Sequence, residues 1–304
     1  MYQRLDLEVW DGDQPIPREE LLKRVPGKQG ILCLITEKID SQVLDAAGSC
    51  LKVVSTFSVG TDHIDLEAVK ARGIKVGYTP GVLTDAVAEL TLGLTLATAR
   101  RFFQSHREIL SGGWEKSAWS PLWMCGKQLH GCTVGIVGLG RIGFALLLRL
   151  KAFQVKDILY TARSPKPHGE AEGGKEVKFE ELLQKSDFVI CTCALTPETQ
   201  GMFDKRAFQL MKPSAVFINI SRGGLVNQDD LVEALKGGEI WGAGLDVMTP
   251  EPLPSHHPLL QLANCTVIPH IGSATEKTRL DMARLAAENL IAGIKGTSMP
   301  AQLL

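Results

Sequence analysis

A glycine-rich turn between a strand and an apolar helix constrains the fold of this 304-residue chain more than any other feature. The turn consists of Gly138, Leu139, Gly140, Arg141, Ile142 and Gly143. It follows the predicted strand 133–137 and precedes an apolar helix over 144–153. A G-x-G-x-x-G motif indicates a dinucleotide site only in this position between a strand and a helix. The first glycine permits the tight turn, the second lets the backbone approach a pyrophosphate, and the third allows close packing of helix on strand. The free N–H groups of the helix then predict a bound dinucleotide. The alternative is a glycine turn without a ligand.

Short apolar runs alternate with helical patterns along the chain, which predicts an α/β protein with parallel sheets. Strands are expected in a first group at 7–9, 31–35, 51–55 and 75–78, and in a second group at 133–137, 157–161, 188–193, 215–220, 242–247 and 266–269. One long helix, capped by Thr84, is expected over 84–110, and another over 275–295 returns to the first sheet. We therefore expect two doubly wound domains. A Rossmann domain over 83–275, binding NAD or NADP, is inserted into a smaller flavodoxin-like substrate domain formed by 1–82 and 276–304.

Composition excludes several classes of function. The 33 Lys and Arg against 34 Asp and Glu give a net charge of −1, so neither nucleic acid nor an anionic membrane is an expected partner. The longest apolar runs, such as 142–148, fall far short of the roughly 20 residues of a membrane helix. Seven dispersed cysteines and the charged start predict a cytoplasmic protein with reduced thiols. Cys191 and Cys193 lack nearby ligands to complete a zinc set, so no metal is expected.

The end of the second Rossmann strand predicts a preference for NADP over NAD. An NAD site places an acid about 20 residues past the glycine turn, but no Asp or Glu occurs between residues 158 and 169. Arg163 can form charge-assisted bonds to a 2′-phosphate, and Ser164 can donate another. The alternative is that Arg163 is a solvated charge at a strand end.

Three polar residues follow the carboxyl ends of three later strands, where open parallel sheets bind ligands. They are Arg222, Glu251 and His270. Hydride transfer to a carbonyl builds negative charge on its oxygen, so the site needs a proton donor and a nearby cation. The histidine can donate the proton, the acid can favour the imidazolium, and the arginine can clamp a substrate carboxylate. Taken singly, each residue is more often structural or solvated.

Several motifs in order resemble the D-isomer-specific 2-hydroxyacid dehydrogenases over nearly the whole chain. Besides the glycine turn they are 58–63 (SVGTDH), 78–85 (YTPGVLTD), 221–226 (SRGGLV), 244–247 (GLDV), 251–253 (EPL) and 269–275 (PHIGSAT). The resemblance is strongest to members that reduce glyoxylate and hydroxypyruvate in animals. It implies reduction of such 2-oxo acids to glycolate and D-glycerate, in a homodimer. NADPH is the reductant expected from Arg163 and Ser164.

The resemblance also implies roles for individual residues. Arg222, Glu251 and His270 would be catalytic. Other roles fall to backbone groups of Val59 and Gly60 as a carboxylate cradle, Asp246 beside the nicotinamide, Ser273 beside the substrate, and Trp119 as a residue that reaches the partner subunit's site. Ordinary dimer packing is the alternative for Trp119.

The chain departs from the family pattern at its start. It begins near the segment that matches the second strand of the small domain, so we expect that sheet to lack its first strand. Two alternatives to an active reductase stay open at this point. One is a dinucleotide-binding scaffold of the corepressor type that shares this fold, and the other is an impaired, N-terminally shortened isoform.

Overall fold

The computed structural model describes residues 5–117 and 120–304 and divides into two compact units. The first unit comprises residues 1–82 and 276–304, and the second comprises residues 83–275. Each unit is built around a parallel sheet of its own. The α/β class predicted from the alternating apolar runs is therefore confirmed.

The sheet of the first unit has three short parallel strands in the order β1-β2-β3. Its elements before residue 83 are α1 (Arg18–Arg24), β1 (Gly30–Cys33), α2 (Ser41–Ala47), β2 (Val53–Thr56), α3 (Leu66–Ala71) and β3 (Lys75–Gly77). Asp40 and Asp65 cap α2 and α3, because each carboxylate accepts a backbone N–H three residues further on. The loops that end the strands are therefore tied to the helices that follow them.

The predicted strand at 7–9 is wrong. Within the described residues, 5–10 form neither strand nor helix. Leu7 and Val9 are each 69% exposed, so the alternating apolar side chains have no layer to cover. Alternation stabilises a strand only where one face packs against neighbours.

The second unit begins with three helices and continues as alternating strands and helices. Its elements are α4 (Thr84–Ala99), α5 (Phe102–Leu110), α6 (Gly113–Lys116), β4 (Thr133–Val137), α7 (Arg141–Lys151), β5 (Asp157–Thr161), α8 (Pro167–Ala171), β6 (Gly174–Glu176), α9 (Phe179–Lys185), β7 (Phe188–Cys191), α10 (Lys205–Leu210), β8 (Val216–Asn219), a 3₁₀ turn (Gly223–Leu225), α11 (Gln228–Gly237), β9 (Gly242–Leu245), a second 3₁₀ turn (Pro258–Gln261) and β10 (Cys265–Val267).

The single long helix predicted over 84–110 is two helices in the structure. Arg101 has a φ of 56°, a left-handed conformation that no α-helix continues through. The carbonyl oxygen of Ala99 accepts from the N–H of Lys127 at 2.8 Å, so it serves a distant segment instead of the next turn. Thr84 is also not a cap, since it is the first helical residue and no side chain caps this terminus.

All seven strands of the second sheet are parallel, in the order β10-β9-β8-β7-β4-β5-β6. Six were predicted; β6, an edge strand paired with β5, was missed because its three residues, Gly174, Lys175 and Glu176, include no apolar side chain. The chain moves outward from β4 through β5 to β6 and then returns to β7 on the other side of β4. The direction of winding therefore reverses between β4 and β7, which is where such sheets bind ligands.

The last helix, α12 (Glu276–Lys295), covers the sheet of the first unit, as the sequence predicted. A Cβ at Gly293 would lie 2.6 Å from Cβ of Val53, so glycine is required for this close approach. Buried Asn289 donates to the carbonyl of Tyr78 at 2.9 Å and accepts from the N–H of Ala301 at 2.8 Å. These bonds hold α12 to the chain around β3.

Among the described residues, every helix is too short or too polar to cross a membrane.

Candidate active site

The glycine turn joins the end of β4 directly to the start of α7. Gly138 has a φ of 101°, and a Cβ there would lie 2.7 Å from Cα of Cys193. A Cβ on Gly143 would collide with the carbonyl oxygen of Gly138, so α7 approaches the turn as closely as a glycine allows. A Cβ on Gly140, by contrast, would have no atom within 4 Å. The space in front of the first N–H groups of α7 is thus open, as binding of a pyrophosphate requires.

The other three residues of the turn have distinct places. Leu139 is buried, whereas Arg141 and Ile142 open α7, with Gly140 as the residue before the helix. No acidic side chain lies in the first turn of α7, so nothing there opposes an anion. The residues present fit a dinucleotide phosphate.

Arg163 and Ser164 lie beside this turn, just past the end of β5. The N–H groups of Gly138 and Leu139 both donate to the carbonyl of Thr161, at 3.1 and 3.2 Å, which holds the end of β5 against the turn. Both predicted side chains are exposed. Nζ of Lys166 donates to Oγ of Ser164 at 3.1 Å, so a second cation that the sequence reasoning did not single out joins them.

Arg222, Glu251 and His270 follow three neighbouring strands, β8, β9 and β10, at one edge of the sheet. Nδ1 of His270 lies 2.7 Å from Oε2 of Glu251, and the two side chains are 28% and 30% exposed. An ionised carboxylate can only accept a hydrogen bond, so Nδ1 carries the proton between them. Nε2 is therefore the nitrogen that is left to exchange a proton with a substrate.

The environment of Glu251 keeps it ionised. Burial raises the pKa of Glu251, but hydrogen bonds from His270 and from the N–H of Met248, with the positive charge of Arg222, lower it below its usual value overall. The bond from Met248 is 2.9 Å long. The arginine is thus close enough for its charge to act on the acid.

Two buried or partly buried amides hold the loops of the site, and sequence reasoning missed both. Asn219 donates to the carbonyl of Arg222 at 2.9 Å and accepts from the N–H of Ser221 at 3.0 Å. Gln228 donates to the carbonyl of Thr249 at 2.6 Å and accepts from its N–H at 3.0 Å. A short Asn-x-Ser turn could have revealed the first amide, but no local signal marks the second, which acts 21 residues away.

Asp246 holds the loop that carries His270. Its carboxylate accepts the N–H groups of Ile271 at 2.7 Å and Gly272 at 2.8 Å, and its carbonyl accepts the N–H of His270 at 2.9 Å. Burial raises the pKa of Asp246 to about 6, although the two backbone N–H groups and the charge of His270 act in the opposite direction. This buried side chain therefore fixes the histidine's backbone.

Among the described residues, the other predicted site positions fall in two loops. Val59 and Gly60 lie in the first unit, in the loop after β2, where Ser58 donates to the carbonyl of Gly60 at 2.6 Å. Ser273 is partly exposed and lies three residues past His270 in the same loop. Trp119 lies outside the described residues.

A glycine turn at the switch point of a parallel sheet, with an arginine, an acid and a histidine at the strand ends, is typical of dinucleotide-dependent dehydrogenases. Residues 92–272 match the family model described as D-isomer specific 2-hydroxyacid dehydrogenase, NAD binding domain. The chain belongs to the D-isomer specific 2-hydroxyacid dehydrogenase family, a family of oxidoreductases.

Individual relatives agree with this assignment. The chain is 55% identical to the glyoxylate reductase/hydroxypyruvate reductase of Mus musculus over 299 residues, 98% of this chain and 90% of the relative. A Thermus thermophilus protein structure has a TM-score of 0.88 at 45% identity, covering 96% of this chain and 91% of that one. An NADPH-dependent glyoxylate/hydroxypyruvate reductase from Sinorhizobium meliloti, in complex with NADP and malonate, has a TM-score of 0.83 at 35% identity, covering 90% and 83%.

Proposed function

We propose that this protein reduces glyoxylate and hydroxypyruvate to glycolate and D-glycerate, using NADPH. The observation that carries the proposal is the hydrogen bond of 2.7 Å between His270 and Glu251 at the edge of the sheet that also bears the glycine turn. The relatives named as reductases of these two 2-oxo acids support the choice of substrates.

The chemistry needs a hydride, a proton and a held substrate. A bound nicotinamide dinucleotide would supply the hydride. Nε2 of His270 donates the proton to the carbonyl oxygen, where negative charge develops, while Glu251 holds the opposite side of the imidazole. The guanidinium of Arg222 binds the substrate carboxylate and polarises the carbonyl.

Other residue roles stay predictions carried by the family resemblance. They are the carboxylate cradle of Val59 and Gly60, and the positions of Ser273 beside the substrate, Asp246 beside the nicotinamide and Trp119 at the partner subunit's site.

Activity of the purified full chain tests the proposal. Absorbance of reduced nicotinamide should fall when NADPH is mixed with either 2-oxo acid, and a panel of other 2-oxo acids gives the order of preference. His270→Ala should lose most of the turnover yet bind NADPH as the parent does, followed by nucleotide fluorescence, because the glycine turn is separate. A parent protein that reduces no 2-oxo acid, or a His270→Ala variant with near-normal turnover, would contradict the mechanism.

Preference for NADPH rests on the cationic end of β5. Replacing Arg163 with Ala removes one charge-assisted bond to the 2′-phosphate, so KM for NADPH should rise roughly tenfold while KM for NADH stays nearly constant. Steady-state kinetics with both nucleotides provide the measurement, and NADH is its internal control. Equal kcat/KM for the two nucleotides in the parent protein would contradict the proposed preference for NADPH.

A homodimer is supported by exposed apolar side chains on α5, on α6 and in the segment after α6. Large apolar side chains are exposed there, and no residue of α5 is buried within its own unit. They are Phe102, Phe103, Ile109, Leu110, Trp114 and Leu122. A patch of this kind marks an interaction surface, and a second copy of the chain is the occupant that we propose.

The cytoplasm stays the predicted location, because the cysteines are free thiols that suit a reducing compartment.

A further inference from the structure

Two cysteines lie in contact at the end of β7. Cys191 is the last residue of the strand and is fully buried, whereas Cys193, two residues on, is partly exposed. Their sulfur atoms are 3.7 Å apart, and the thioether of Met202 lies 3.9 Å from Sγ of Cys193. The pair thus joins a buried cysteine to a partly exposed one, with the two sulfur atoms already in contact.

The segment that carries this pair packs directly against the glycine turn. The N–H of Thr192 donates to the carbonyl of Val137 at 2.9 Å, and its hydroxyl donates to the carbonyl of Gly138 at 2.5 Å. Backbone atoms of Cys193 approach Gly138 so closely that a Cβ there would lie 2.7 Å from Cα of Cys193. Any movement of this segment therefore moves the turn.

The two thiols differ in reactivity. The hydrogen bond from Cys191 lowers the pKa of Cys193, burial raises it, and the positive charge of Arg163 lowers it, with a net decrease. Burial raises the pKa of Cys191 well above the usual value. The accessible cysteine is consequently the one with more thiolate character, which is the nucleophilic form.

We propose that Cys191 and Cys193 form a hydroperoxide-sensitive dithiol whose closure to a disulfide loosens dinucleotide binding at the adjacent glycine turn. The loosening rests on the proposed function, whereas the closure does not.

The reaction is balanced by the hydroperoxide. The thiolate of Cys193 attacks one peroxide oxygen, so an S–O bond forms and the O–O bond breaks. The departing oxygen takes a proton from solvent and leaves as alcohol or water. The thiol of Cys191 then attacks the sulfur of the resulting sulfenic acid, losing its proton as the S–O bond breaks and water departs. The dithiol loses two electrons, and the hydroperoxide gains them.

Closure requires a displacement that the turn must follow. A disulfide bond is about 2.05 Å long, so the sulfurs must approach from their separation of 3.7 Å. Cys191 lies inside the sheet between β4 and β8, so Cys193 and Thr192 are the residues that move. Their movement draws the carbonyls of Val137 and Gly138 away from the geometry that presents the first N–H groups of α7.

Mass spectrometry of the full chain tests closure. Trypsin should release residues 186–205, which contain both cysteines and no other. After treatment of the reduced protein with hydrogen peroxide, this peptide should lack two hydrogens and resist alkylation by N-ethylmaleimide, and dithiothreitol should restore two alkylation sites. Cys191→Ser should instead accumulate a dimedone-reactive sulfenic acid at Cys193. Cys265→Ser, at a buried cysteine outside this pair, is the matched control and should close like the parent.

A second measurement tests the effect on the nucleotide. The Kd for NADPH, from nucleotide fluorescence, should rise at least tenfold on oxidation of the parent and recover with dithiothreitol. Cys193→Ser should show the same Kd before and after peroxide. Two freely alkylated cysteines in peptide 186–205, at peroxide levels that oxidise exposed Cys50, would overturn the dithiol. A disulfide with an unchanged Kd would overturn the coupling. Failure of the reduced protein to bind NADPH would instead count against the proposed function and the coupling, and leave the dithiol standing.

Discussion

His270 presents its imidazole from a backbone conformation that few side chains adopt. Its φ is 51°, a region in which histidine is more frequent than most residues but which still costs about 1–3 kcal/mol. Three N–H groups of the loop, from residues 270–272, bond to Asp246 and offset this cost. The direction of the proton donor thus depends on a buried acid 24 residues earlier in the chain.

The pH dependence of reduction should report the contact between Glu251 and His270. Reduction needs the protonated imidazole, so the rate falls as the pH rises. The lowered pKa of Glu251 keeps it negative throughout this range, so its carboxylate accepts the hydrogen bond from Nδ1 of His270. In Glu251→Gln that ionised acceptor is absent, so the alkaline fall of kcat/KM should begin at a lower pH. The dependence of kcat/KM on pH, measured for both proteins, tests this. The apparent pKa values belong to the interacting pair and not to either residue alone. An unmoved limb would remove Glu251 from the mechanism.

Asp246 should make stability depend on pH in an unusual direction. Its folded-state pKa of about 6 lies above the value of 3.8 for an unburied aspartate, so the native state binds this proton more tightly than the unfolded state does. The ionised form therefore destabilises the fold above pH 6, and this penalty disappears as the pH falls from 6 towards 4. The full effect is about 3 kcal/mol.

Comparison with Asp246→Asn isolates this effect. The asparagine does not titrate, so the parent should gain stability relative to the variant as the pH falls from 7 to 4. Urea unfolding midpoints of both proteins at several pH values provide the measurement. Parallel midpoint curves would show that the pKa of Asp246 is not raised in the native state.

At the scale of elements, two glycines in the turn between β4 and α7 have different roles. Gly143 is needed for packing, and Gly140 leaves room for the ligand. Gly143→Ala places a methyl group against the carbonyl of Gly138 and 2.9 Å from Oγ1 of Thr192, so it should destabilise the protein by about 1–3 kcal/mol. Gly140→Ala has open space for its methyl group and should leave the free energy of unfolding within about 0.5 kcal/mol of that of the parent. It should nevertheless weaken NADPH binding, because the methyl group enters the space reserved for the pyrophosphate.

Urea unfolding of both variants measures their stability, and nucleotide fluorescence measures their affinity for NADPH. If Gly140→Ala bound NADPH as tightly as the parent, the phosphate would not lie against this turn.

Elements with a repeated apolar pattern were predictable, and those decided by a single contact were not. Strands β4, β5, β7, β8 and β9 of the second sheet are buried on both faces or nearly so, which produces continuous apolar runs. The break at Arg101 has no such signal, because residues 84–110 keep a helical composition throughout. The bond from Lys127 to Ala99 that accompanies the break comes from a distant part of the chain.

At the scale of the whole molecule, the apolar face of α5 predicts self-association. Leu110 is 74% exposed there, and a charge at the centre of a dimer interface would be desolvated without a partner. The parent should therefore sediment as a dimer, and Leu110→Glu should shift it towards the monomer at equal concentration. Leu280→Glu, on an exposed leucine of α12 outside this face, is the matched control and should remain dimeric. A dimer of undiminished stability in Leu110→Glu would place the interface elsewhere.

The sequence by itself determined the parallel sheets, the glycine turn and the strand ends that bear Arg222, Glu251 and His270, because each depends on residues that are neighbours in the chain. Apolar periodicity and the positions that require glycine can both be recognised within such short segments. Only the tertiary structure decided that His270 is 2.7 Å from Glu251 and that Asp246 shapes the histidine's loop. These facts depend on contacts across strands and on single backbone angles, which no local pattern specifies.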